Sequence, residues 1–131
     1  MRPIKLIVWH CSDSDNPKHD NIETLRAWHL SIGNSDIGYH YVITKDGVAH
    51  TGRDVAFPGA HCLGFNAHSI GVCVIGRNEF THEQFNSLLA LTRTLMKSHN
   101  VDKADVVGHE LLDKHGKTCP NFNWRDLVIK L

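Results

Sequence analysis

Residues 69–76 read SIGVCVIG. Side chains alternate across a strand, so Ile70, Val72 and Val74 fall on one face and Gly71, Cys73 and Ile75 on the other, leaving neither face polar. A strand of this kind is covered on both sides, which is the habit of a sheet lying between helices. Working outward, IKLIVWH (residues 4–10) places Ile4, Leu6, Val8 and His10 on one face and Lys5, Ile7 and Trp9 on the other. His10 therefore closes a core strand. ADVVGH (residues 104–109) reads as a short last strand ending at His109.

The remaining elements follow from local signals. In YHYVITKDGVAHTGRD (residues 39–54) two β-rich runs flank Asp46-Gly47, which predicts a hairpin with a type I′ turn, because that turn needs positive φ. DNIETLRAWHLSIG (residues 20–33) predicts a helix with Asp20 and Glu23 at its start, Ile22, Leu25, Trp28 and Ile32 as its apolar stripe, and a stop at Gly33. THEQFNSLLALTRTLMKSH (residues 81–99) opens on a Thr81/Gln84 capping box and carries Phe85, Leu88, Leu89, Leu95 and Met96 on one stripe. NWRDLVIKL (residues 123–131) closes the chain as a helix capped by Asn123. Strands and helices in this order predict an α/β fold, a single domain over residues 1–131 with a central mixed β-sheet flanked by helices. A chain of 131 residues is one domain's worth.

Composition narrows the function. An apolar fraction of 41% with 21% charged residues is that of a globular protein, and the formal net charge of zero supplies no attraction to nucleic acid or anionic lipid. The apolar run near the N-terminus is too short for a secretory signal or a membrane span. Cys11, Cys62, Cys73 and Cys119 are scattered without CxxC spacing, so thiols made and kept in a reducing cytosol are expected. Monomer is the expected state, since no amphipathic surplus asks for burial.

His10 and His109 end the first and last strands. If those strands are neighbours, both imidazoles project from one sheet edge, and Cys119, ten residues beyond His109, lies in a loop able to fold over it. Two imidazoles and one thiolate with a fourth position open are the donors of a catalytic rather than a structural zinc. On the residues alone, two hydrogen-bonded strand-end histidines and a buried, inert thiol explain the same pattern.

Four segments decide between these readings: IVWHCSDS (residues 7–14), IGYHYVITKDGVAHTGRD (residues 37–54), GAHCLGFNAHSIGVCVIG (residues 59–76) and VGHELLDKHGKTCPNFNW (residues 107–124). Together, in order and over nearly the whole chain, they resemble the motifs of the zinc-dependent N-acetylmuramoyl-L-alanine amidases of type 2, the family of short phage amidase-type lysozymes related to peptidoglycan recognition proteins. The resemblance implies one Zn2+ per chain held by His10, His109 and Cys119. It implies Tyr39 and Lys117 as catalytic residues that do not bind the metal, with Lys114 competing for the lysine's place because DKHGKTC is longer than in compact members. His61 and Asn66 fall where the family lines its substrate groove. Trp9 and Phe57 are read as core aromatics that could stack on a muropeptide, and Arg53 as a partner of Asp54 or of a peptide carboxylate.

The implied activity is hydrolysis of the bond between N-acetylmuramic acid and L-alanine in peptidoglycan. The enzyme would be made in the cytoplasm and act on the bacterial cell wall, as phage endolysins do. A muropeptide-recycling amidase and a peptidoglycan-binding module without catalysis are the alternatives.

Overall fold

The computed structural model describes residues 2–131. Five strands form one sheet: β1 (Leu6–Cys11), β2 (Tyr41–Ile43), β3 (Ala49–Thr51), β4 (Ser69–Val74) and β5 (Val106–Gly108), in the order β3-β2-β4-β1-β5. β1 pairs in parallel with β4 and β5, β2 in parallel with β4, and only β3 runs antiparallel, against β2. The sheet is mixed, as expected, and every residue of β4 is buried.

Four α-helices among the described residues pack on the sheet: α1 (Ile22–Ser31), α2 (His82–His99), α3 (His109–Leu112) and α4 (Trp124–Val128). On one face of the sheet Ile7, Trp9, Ile70, Val72 and Val74 join Leu88, Leu89 and Leu95 of α2 and Trp124 of α4 in one core. On the other, Val42, Cys73 and Ile75 pack with Ile22 and Leu25 of α1. Each fully buried aliphatic side chain contributes roughly 1.5–3 kcal/mol, so this double layer is the main source of stability.

Two devices fasten α2. Thr81 Oγ accepts the Gln84 N–H at 3.1 Å while Gln84 Oε1 accepts the Thr81 N–H at 2.9 Å, closing the expected capping box. The other end of the Gln84 amide, fully buried, donates to the carbonyls of Ile43 and Ile75. Asn123 caps α4, accepting from the Asp126 N–H.

Several local expectations are corrected. The cap of α1 is Asn21, whose side chain accepts from the Thr24 N–H, because Asp20 is engaged by the Lys45 N–H. Trp28 is 38% and Ile32 73% exposed, so the apolar stripe is not the one expected. At 100° per residue Ile22, Leu25 and His29 share a face, and Trp28 lies roughly 90° from its centre. The hairpin turn is not type I′ either. Positive φ occurs at Gly47 (83°) and not at Asp46. The Gly47 N–H bonds to Thr44 O and the Thr44 N–H to Val48 O, a longer loop ending on a left-handed glycine. Phe57, expected in the core, is 63% exposed. Among the described residues Arg53 makes no ion pair with Asp54; its guanidinium donates to the carbonyls of Asp36, Ile37 and Pro58. Trp9 does sit in the core, 0% exposed, with its indole N–H on Thr92.

Candidate active site

β1 and β5 are neighbours, with Trp9 opposite Gly108. His10 is the penultimate residue of β1, and His109, instead of ending β5, begins α3 directly after it. Both therefore stand at the carboxyl end of parallel strands, where ligands bind open α/β sheets. His10 pairs with Cys73 and Cys73 with Val42, so its ring lies on the face that α1 covers.

The loop after α3 brings the third donor. The Glu110 N–H donates to Cys119 O at 2.7 Å, and Asp113 accepts the N–H groups of His115 and Lys117, which folds residues 113–119 back over the strand ends. Asn121 Nδ2 holds the far side of the loop to Arg77 O. His10 Nδ1 is then 3.9 Å from Cys119 Sγ, and ligand atoms of His10, His109 and Cys119 all lie within 4.8 Å of one another. Donors of a tetrahedral zinc with two nitrogens and one sulfur are roughly 3.3–3.6 Å apart. The triangle is thus wider than a zinc would hold it by up to about 1.5 Å, a gap of the size that small side-chain rotations span. The three side chains fit the metal and form a possible metal site.

Electrostatics agree with the donor set. Burial, first, and then His61 and His109 hold the His10 pKa well below its usual value, so its imidazole is neutral and can offer a lone pair. Burial likewise lowers His109. The thiol of Cys11 and then burial raise the Cys119 pKa. A cation reverses that preference, since a coordinated thiol deprotonates. The Cys11 N–H already points at Cys119 Sγ at 3.2 Å. Cys11, Cys62 and Cys73 are buried and free, as expected of small hydrophobes.

The three donors face a cleft of about 900 Å³. Its wall includes Tyr39 and Lys117, while Lys114 lines the adjacent hollow instead. Tyr39 precedes β2 rather than starting it; its ring centroid is 5.1 Å from that of His10. Burial pushes its hydroxyl well above the usual range, which keeps it protonated and a donor. Lys117 is exposed on the loop.

His61 and Asn66, expected along the substrate groove, both make hydrogen bonds within the protein. His61 lines the cleft, but its Nδ1 is 2.7 Å from His10 Nε2 and its Nε2 3.1 Å from Ser69 Oγ, so both ring nitrogens are engaged within the protein. Asn66 is not part of the cleft wall; its Oδ1 accepts the N–H groups of His61 and Cys62. Sequence reasoning missed His29, which lines the cleft with its Nδ1 accepting the Gly38 N–H at 2.6 Å and its ring 5.2 Å from Tyr39. Its position seven residues after Ile22 and four after Leu25 was the available signal. The rim residues Asp13, Arg77, Asn78 and Asn121 carried none, because they belong to loops brought together only by the fold.

No helix among the described residues is long and apolar enough to cross a membrane. The sequence family described as N-acetylmuramoyl-L-alanine amidase matches residues 1–122. The endolysin of Enterobacteria phage T3 is 34% identical over 125 residues, spanning 89% of this chain and 80% of that protein. Among solved structures, the N-acetylmuramoyl-L-alanine amidase LysC from Clostridium intestinale superposes with a TM-score of 0.88 at 30% identity, over 98% of this chain and 85% of its own. Drosophila PGRP-LB superposes with a TM-score of 0.76 at 26% identity, over 92% of this chain and 76% of its own. With nearly its whole length matched, and its strand-end donors on the same fold, this chain belongs to the N-acetylmuramoyl-L-alanine amidase family.

Proposed function

We propose that the protein is a zinc-dependent amidase of the phage endolysin type, cutting the amide bond between the lactyl group of N-acetylmuramic acid and L-alanine in peptidoglycan. The observation that carries this reading is the convergence of His10, His109 and Cys119 at one end of a cleft whose wall holds Tyr39 and Lys117, in a chain of this family. One zinc per chain, held by those three donors, would supply Lewis acidity to a poorly electrophilic amide carbonyl and a nucleophile from water near neutral pH.

The protein's own groups do the rest. The Tyr39 hydroxyl, kept protonated by burial, donates a hydrogen bond to the oxygen that gains charge as the carbonyl becomes tetrahedral. The Lys117 ammonium neutralises the same charge and gives a proton to the departing amine. His109 and His10, both neutral, leave the cationic character of the site to the metal and the lysine. Asn78, Asn121 and Thr118 form a polar rim to the cleft, which would face the sugar and stem peptide. Residues 1–131 work as one catalytic domain, as a monomer, made in the cytoplasm and acting on the cell wall.

The test is zinc content of the purified protein together with clearing of purified sacculi, with and without a chelator. About one zinc per chain and chelator-sensitive clearing that releases new L-alanine amino termini are expected. Cleavage of soluble muropeptides alone would make it a recycling enzyme, and binding without cleavage a recognition module.

A further inference from the structure

Behind His10 lies a row of polar groups that the amidase reading leaves unused. His10 Nε2 is 2.7 Å from His61 Nδ1, and His61 Nε2 is 3.1 Å from Ser69 Oγ. The two rings meet edge to face at 90° with centroids 4.8 Å apart. Ser69 is 0% and His10 1% exposed, so both ends of the row are shut off from solvent, while His61 between them is part-buried in the cleft wall. The slot for the His61 ring is opened by Gly71: a Cβ there would lie 2.6 Å from His61 Cγ. Asn66, by accepting the His61 and Cys62 N–H groups, fixes the backbone that presents the ring.

A neutral imidazole carries one proton on two nitrogens, so this row can run in only two directions. In one, the Ser69 hydroxyl donates to His61 Nε2, His61 Nδ1–H donates to His10 Nε2, and His10 keeps its own proton on Nδ1. That nitrogen faces Cys119 Sγ at 3.9 Å and would then have no lone pair to give. In the other, His10 Nε2–H donates to His61 Nδ1, His61 Nε2–H donates to Ser69 Oγ, and the Nδ1 lone pair of His10 points at the metal position. Only the second direction makes His10 a ligand.

We propose that His61 is a positioning residue, and Ser69 its anchor, which together hold His10 in the Nε2–H tautomer and aim its Nδ1 at the metal. The inference rests on the zinc reading above. Metal-bound histidines are usually oriented by a carboxylate, a carbonyl or water, and a carboxylate also makes the ligand more basic. A neutral imidazole in that role fixes orientation without placing a negative charge behind the ligand. The site keeps the electrophilic character that an amide carbonyl requires. It also explains why a ring that lines the cleft has no nitrogen left for substrate.

The experiment is zinc affinity of the full chain, measured by competition with a chromogenic chelator, beside the 15N signature of the histidine rings. His61→Leu is expected to bind zinc about 10- to 100-fold more weakly, the usual loss when such a partner is removed. His61→Asn, which keeps an acceptor near the Nδ1 position, restores most of that loss, and Ser69→Ala costs less than His61→Leu. Gly71→Ala, which removes none of the hydrogen-bonding side chains but sets a Cβ against the His61 ring, weakens zinc by crowding the ring out of line. In the zinc-loaded wild type, His61 should be unprotonated at Nδ1 and protonated at Nε2. A folded His61→Leu protein that binds zinc as tightly as wild type overturns the inference while leaving the amidase reading intact. A proton on His61 Nδ1 with zinc bound does the same even where His61→Leu fails to fold. A wild-type chain with no zinc affinity overturns both.

Discussion

Tyr39 and Lys117 differ from the three donors in what their loss should do. Cys119→Ala and His10→Ala remove a ligand, so zinc and activity are expected to fall together. On the proposed mechanism Tyr39→Phe and Lys117→Ala would each remove one transition-state contact and should keep zinc while losing on the order of 100- to 1000-fold in kcat. Metal analysis and turnover on the same four preparations check this, and equal activity in all four would sink the assignment. His40 makes a separate prediction about stability. It is wholly buried, with Nδ1 accepting the Gly71 N–H at 3.0 Å and Nε2 donating to Phe57 O at 2.9 Å, an arrangement open only to the neutral ring. Burial holds its pKa down to about 4, against about 6.5 in the unfolded chain. Between these values the unfolded state binds the extra proton, so stability rises with pH, by up to about 1.4 kcal/mol per pH unit, and this contribution is gone below pH ~4. His40→Gln should be less stable at pH 7 yet show a flatter decline on acidification in urea titrations; parallel profiles would refute the role. The meeting of His10, His109 and Cys119 at one cleft was legible from the strand ends and the loop beyond them, and the place of Tyr39 beside them from the family resemblance. The partners of His40 and His61 were not, because a hydrogen bond between residues 51 positions apart leaves no local trace.

Caps and turns are written locally and were mostly readable at the level of elements. The Thr81/Gln84 box, the Asn123 cap and the hairpin around Gly47 all stand in the structure. Where reading failed, a distant group had taken the local one's partner: Asp20 was lost to Lys45, and Asn21 capped α1 instead. The stripe of α1 failed for a related reason. Its inward face includes a histidine that lines the cleft, and a search for apolar residues passes over it. Gln84 shows how much a single position can combine. It closes the capping box and, fully buried, ties the start of α2 to the ends of β2 and β4 through Ile43 O and Ile75 O. Thr81→Ala removes the cap alone and should cost about 1 kcal/mol. Gln84→Leu removes the reciprocal arm and also strips buried carbonyls of a donor, so a loss of roughly 2–4 kcal/mol is expected. Denaturant unfolding of both variants decides, and a Gln84→Leu no worse than Thr81→Ala would mean that the clamp to the sheet is idle.

Strand order is a property of the whole molecule, and residues 4–10 and 104–109 give no sign that they lie side by side. That adjacency was a condition in the sequence reading, and the pairing of β1 with β5 meets it. Its consequence is that the donors of one small site come from positions 10, 109 and 119, so a metal there joins the first strand of the chain to its last. In the unfolded chain the same three side chains are far apart and bind a cation together only at a large entropic cost. A zinc ion held by the three would therefore favour the folded state by its full native affinity. At a free concentration 100 times its dissociation constant the gain is about 2.7 kcal/mol, which for a domain of this size raises Tm by roughly 5–15 °C. Calorimetric scans at increasing zinc should show a rising, concentration-dependent midpoint that a chelator reverses. Cys119→Ser should lose most of the increment, and His115→Ala, in the same loop but outside the donor set, should keep it. A midpoint indifferent to zinc in the wild type would show that the first and last strands are not held together by a metal, whatever their geometry.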